Sequence, residues 1–144
     1  MKSWLTTVTV GLVALVLFSA VTGSARADTF YVDMTFEAGV GNVFDPAEIT
    51  VSPGNPCCCV PGDVVVFTST VGVHTTTSID GDWDSGFVSP GNSFQVDFTG
   101  AALGDYFYIC TLHFDCCNMA GVIHVVQPGC PPCCPPCPSA GVED

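Results

Sequence analysis

The sequence predicts an all-β sandwich or barrel, and three observations carry that prediction. Apolar residues recur at every second position in several short runs. Strand-like runs return roughly every 8 to 15 residues between turns drawn from 15 Gly and 11 Pro. No stretch keeps a helical period.

Thr29 to Phe36 alternates, with Phe30, Val32, Met34 and Phe36 on one face and Tyr31, Asp33 and Thr35 on the other, as a half-buried strand does. Gly39-Val40-Gly41-Asn42 reads as a turn, and Phe44-Asp45-Pro46 leads into a strand around Ile49 to Val51. Pro53 to Gly62 is a long turn containing Cys57, Cys58 and Cys59. Val64 to Ser69, apolar and β-branched, predicts a buried strand, and His74-Thr75-Thr76-Thr77 after Gly72 is also β-prone. Ser93 to Phe98 points Phe94, Val96 and Phe98 inward. Gly104-Asp105 turns into a strand with Tyr106, Tyr108 and Cys110 on one face and Phe107 and Ile109 on the other. Gly121 to Val126 is the last strand, with His124 facing outward by parity. If each turn reverses the chain, the Pro53–Gly62 turn lies at the opposite end from His74, and the final strand runs towards that turn.

Residues 1–27 have the marks of a signal peptide: Lys2, an apolar run from Val8 to Val21, and the small-x-small site Ala25-Arg26-Ala27. That run is shorter than the about 20 residues a membrane span needs. The expectation is an exported protein, periplasmic or extracellular, starting at Asp28 and keeping no membrane span after cleavage. Residues 28–127 form one β domain, and residues 128–144 a Pro- and Cys-rich tail without a core of its own.

Lys2 and Arg26 are the only basic residues, and all 14 acids lie at Asp28 or beyond. Nucleic acid is excluded as a partner, because nothing neutralises phosphates. Anionic lipid heads are disfavoured by the same charge. The acidity suits a redox partner with a basic docking surface, or simply solubility.

All ten cysteines lie beyond the leader, where export makes disulfides the default. Two clusters face the same end of the sandwich: Cys57, Cys58 and Cys59 in the long turn, and Cys130, Cys133, Cys134 and Cys137 in the tail. Two or three bridges stapling tail to turn are the simpler reading. The two Cys-x-x-Cys units of the tail also suit a zinc or Cu(I) thiolate site. Seven is odd, so one thiol of that set stays free or pairs between molecules.

Cys110 is exempt. It ends a strand, His113 follows after the two intervening residues Thr111 and Leu112, and Met119 closes the same loop. Thiolate and imidazole suit copper and zinc, and a weak thioether tilts the choice to copper. A trigonal site of this kind needs a second histidine, for which His74 is the candidate. Asp80-x-Asp82-x-Asp84 starts like a calcium loop but has Ser85 and Gly91 where Gly and Glu are required, so it is rejected. Neither Gly-x-Ser-x-Gly nor a phosphate loop occurs.

From Phe44 to Val125 the chain resembles the plastocyanin-type cupredoxins, halocyanin-like small blue copper proteins included. The resemblance rests on Phe44-x-Pro46-x-x-Ile49-Thr50-Val51, Gly62-Asp63-x-Val65-x-Phe67, His74-Thr75 and Trp83-Asp84-Ser85-Gly86. It continues through Pro90-Gly91-x-Ser93-Phe94, Gly104-x-Tyr106-x-Tyr108-x-Cys110-x-x-His113 and Met119-x-Gly121-x-Ile123-x-Val125. It implies a Greek-key β-sandwich of about seven to eight strands. It also implies one type 1 copper, with His74, Cys110 and His113 as ligands, Met119 as weak axial ligand, and an apolar patch near His113 through which electrons pass. The loop from Phe114 to Asn118 is one residue longer than in plastocyanins, which leaves Cys116 and Cys117 as competing sulfur donors.

The function so implied is that of a non-enzymatic carrier of single electrons between redox partner proteins. Two alternatives stay open: a module that sequesters or delivers copper, and a disulfide-stapled structural domain without a redox role.

Overall fold

The computed structural model describes residues 26–56 and 59–127. The leader before Arg26, Cys57, Cys58 and the tail cysteines lie outside them. Eight strands and one helical turn follow in order: β1 (Thr29–Glu37), β2 (Gly41–Asp45), β3 (Glu48–Val51), β4 (Val64–Ser69), β5 (Thr77–Ser78), β6 (Ser93–Asp97), β7 (Gly104–Ile109), α1 (Phe114–Cys117) and β8 (Ala120–Val125). They build two four-stranded sheets, ordered β2-β1-β4-β6 and β3-β8-β7-β5. Each sheet is mixed: β1 and β4 are parallel, as are β3 and β8, and the other pairs are antiparallel. The all-β sandwich expected from the alternating runs is therefore the observed architecture.

The inward residues are the ones the alternation selects. Val32 and Met34 of β1 and Val65 and Phe67 of β4 face Ile49 and Val51 of β3, Tyr108 of β7, and Ile123 and Val125 of β8, all buried. Phe36 departs from its expected side: it is next to last in β1 and is exposed. An aromatic cluster fills the centre, with Phe44 against Tyr108 at 4.7 Å between ring centroids and Phe67 against Tyr108 at 5.2 Å, both edge to face.

Three local elements differ from the sequence expectation. The 39–42 turn is tighter than expected, closed by the Val40 N–H on the Glu37 carbonyl, so Gly41 and Asn42 already belong to β2. β2 buries Phe44 alone, and one buried residue makes no alternation to read. The run after His74 yields only the two-residue β5, and the loop after His113 contains the single turn α1.

The ends of the sandwich sort as the strand directions imply. β4 leads from the Pro53–Gly62 turn to the loop carrying His74. β8 ends beside that turn, with the Val126 N–H donating to Val51 and the Gln127 amide donating to the Gly54 carbonyl. At the same end the buried Asp63 carboxylate accepts the backbone N–H of Asp28 at 2.8 Å and of Ser52 at 2.7 Å, fastening the start of β1 to the core. No helix among the described residues is long and apolar enough to cross a membrane.

Candidate metal centre

Two loops meet at the pole opposite that turn. The first leaves β4 and carries His74, whose backbone bonds both ways with Val88, N–H to carbonyl at 3.1 Å and carbonyl to N–H at 2.8 Å. The next residues are braced by the segment Trp83 to Ser85. The Thr76 N–H donates to Ser85 Oγ, the Ser85 N–H donates to the Thr76 carbonyl, and the buried Trp83 indole donates to Thr76 Oγ1.

The second loop runs from Cys110 to Met119 and closes on itself. The Cys110 carbonyl accepts the N–H groups of His113 and Phe114, and the Cys110 N–H donates to the Met119 carbonyl at 3.0 Å. α1 then ends at Asn118, which adopts the left-handed conformation at φ 52°. A bond between Thr75 Oγ1 and Thr111 Oγ1, and the Thr111 N–H donating to Thr75 Oγ1 at 2.8 Å, tie the two loops together.

Within this frame Cys110 Sγ lies 3.3 Å from His113 Nδ1 and 3.9 Å from His74 Nδ1. The three ligating atoms all fall within 4.8 Å of one another. His74 and Cys110 are fully buried and His113 is half-buried. His74 Nε2 lies 2.7 Å from the Val71 carbonyl, which can only accept, so the proton sits on Nε2 and the Nδ1 lone pair faces the thiol. Burial lowers the His74 pKa, with neighbouring His113 adding to the fall and the Val71 carbonyl opposing it. The neutral, ligating form thus persists to lower pH than in an exposed histidine. Gly72 shapes the approach: its φ is +81°, and a Cβ there would press on His74 Nε2 at 3.4 Å. The Thr75 N–H points at Cys110 Sγ, 3.3 Å away.

The structure brings together three of the sequence-selected residues, His74, Cys110 and His113. The fourth, Met119, is buried and adjoins them through its backbone, its N–H reaching the His113 carbonyl at 3.5 Å. Cys116 and Cys117 are free thiols on α1 and do not join the group. Two of the three aspartates of the rejected calcium loop serve turns instead: Asp82 accepts from Ser78 Oγ, and Asp84 accepts from Thr77 Oγ1 and the Gly86 N–H. Thr75 and Ser85 fall in the motifs that carry the resemblance, but no role for them or for Thr111 was legible, because their part rests on bonds between distant segments.

The chain is similar to pseudoazurin from Methylobacterium extorquens AM1, at 27% identity and a TM-score of 0.50 over 68% of this chain and 75% of that one. It is also similar to a novel purple cupredoxin from Nitrosopumilus maritimus, at 18% identity and a TM-score of 0.51, covering 67% of this chain and 99% of that one. The fold is that of a cupredoxin. In that fold His74, Cys110 and His113 are placed to form a type 1 copper site. The same cupredoxin fold recurs in a Cu-containing nitrite reductase from Thermus scotoductus SA-01, at 23% identity and a TM-score of 0.52, where 69% of this chain spans only 23% of that one. No protein-family model matches the chain, and no curated protein does.

Proposed function

We propose that the protein is an exported one-electron carrier holding a single copper through His74, Cys110 and His113, with Met119 as a weak fourth ligand. The observation that carries this reading is the convergence of one thiol and two imidazole nitrogens within 4.8 Å at a largely buried pole. One soft sulfur and two borderline nitrogens are the donor set of an electron-transfer copper site, and the ion supplies reversible exchange between Cu(I) and Cu(II).

The chain's own residues do the rest. Val71 fixes the tautomer of His74. The Thr75 N–H draws charge from the Cys110 sulfur, which favours the reduced ion. The bracing by Val88, Ser85 and Thr111 keeps the donors in one geometry through both oxidation states. His113 is the most solvent-accessible of the three donors. Val71, Val73, Leu112 and Phe114, which flank the two histidines in sequence, are exposed and form an apolar rim. A redox partner docks there, steered by a chain with no Lys or Arg after Arg26. A site with all its ligands supplied by protein leaves no position for substrate, so no enzymatic step is assigned.

Residues 1–27 act as the leader, which places the protein in the periplasm or outside the cell. Disulfides join the Cys57–Cys59 turn to the tail, and the exit of β8 beside that turn supports this pairing.

Adding Cu(II) to the refolded chain tests the reading. An intense visible band and a reversible one-electron wave are expected at one copper per chain. Cys110→Ser is expected to abolish the band and Cys130→Ser to leave it unchanged. Retained colour in the first variant would overturn the ligand assignment. Several Cu(I) equivalents without a blue form would point to sequestration instead.

A further inference from the structure

One helical turn beyond His113, α1 carries two adjacent thiols that neither the core nor the buried donor group uses. Cys116 is exposed and Cys117 half-buried, and both are free. The Cys117 N–H donates to the His113 carbonyl at 3.0 Å, which holds the pair against the metal-binding loop. Cys116 Sγ lies 3.6 Å from the His113 carbonyl. The pair therefore sits side by side on one helical turn at the shoulder of the metal pole.

A disulfide does not explain it. A trans peptide holds neighbouring Cα atoms about 3.8 Å apart, whereas disulfides span roughly 4.4–6.8 Å, so a bridge between the two would be strained, and both are free thiols. Two accessible thiols that would close on each other only under strain tend to cross-link molecules in an oxidising compartment unless something caps them. Two sulfurs side by side are a donor set for a soft, thiophilic cation. The surrounding charge agrees, since Asp115 precedes the pair and no Lys or Arg follows Arg26.

We propose that Cys116 and Cys117 form a second metal site, a surface two-thiolate seat for one Cu(I) ion, separate from the buried centre. Binding forms two S–Cu bonds and releases the two thiol protons to solvent, with no change in oxidation state. The seat adjoins His113, so it stands where an incoming cuprous ion would first meet the pole.

The test titrates Cu(I) against a chromogenic Cu(I) chelator in the full chain. Cys116→Ser/Cys117→Ser is expected to bind one equivalent fewer than wild type while keeping the intense band of the buried site. The same one-equivalent loss is expected between Cys110→Ser and Cys110→Ser/Cys116→Ser/Cys117→Ser. In wild type, Cu(I) is expected to slow alkylation of Cys116 and Cys117 at least tenfold, read by mass spectrometry. Equal stoichiometries, or alkylation unchanged by Cu(I), would overturn the proposal. Loss of the band in the double serine variant would also overturn it, by making the pair part of the buried centre. A one-equivalent difference in a protein that never turns blue would uphold this site while rejecting the carrier reading.

Discussion

At Tyr108 the fold buries a hydroxyl without giving it a hydrogen-bond partner among the described residues. Burial also pushes its pKa well above the ordinary tyrosine value. An unpaired buried hydroxyl costs about 1–3 kcal/mol, so Tyr108→Phe is expected to raise stability by about 1 kcal/mol, or roughly 4 °C in Tm, measured by thermal unfolding. The tyrosine ring lies over Gly121, its antiparallel partner, where any Cβ would strike the ring and the Ala47 carbonyl. The alternation in β7 placed Tyr108 on the same face as Cys110, but its seat on Gly121 depends on cross-strand register, which no local pattern encodes. The ligands divide in the same way. Cys110 and His113 stand out because one strand exit delivers both, whereas His74, 36 residues earlier, was singled out by the site's need for a second histidine together with the family resemblance. The bracing role of Thr75 and Thr111 was not legible, because it lies in bonds to each other across 36 residues.

Among the elements, the sheet β3-β8-β7-β5 carries a polar clasp on its outer face. His124 of β8 lies between Asp105 of β7, with Nδ1 at 2.6 Å from Oδ1, and Glu48 of β3, with Nε2 at 3.1 Å from Oε1. Hydrogen bonds to Asp105 and then to Glu48 raise its pKa. A raised folded-state value means the clasp contributes fully below the unfolded histidine pKa of about 6.5 and is lost as pH rises through the folded value. The Tm advantage of wild type over His124→Gln is therefore expected at pH 5.5 and to shrink above about pH 6.5, measured on metal-free protein. An advantage that grows with pH would refute the assignment. The outward placement of His124 was legible from parity alone. Its two carboxylate partners were not, because one comes from the neighbouring β7 and the other from β3, 76 residues away. β2 and α1 were missed for complementary reasons: β2 buries a single apolar residue, and a four-residue turn is too short to show a helical period.

For the whole molecule, the sandwich and its two functional ends follow from alternation and turn spacing, while the close fit of the pole depends on contacts between distant loops. One of those contacts has a thermodynamic corollary. His74 belongs to the crossover from one sheet to the other, and Cys110 and His113 to the β7–β8 connection. An ion held by all three is thus a clamp across two loops 36 residues apart, absent from the unfolded polymer. Copper at a hundredfold excess over its Kd is expected to add about 2.7 kcal/mol to unfolding, seen as a rise in Tm that depends on free metal. His74→Gly is expected to lose that rise by opening one jaw. Melting then becomes a gauge of occupancy: in a cell, the copper-starved fraction of the population would be the first that heat or proteases remove.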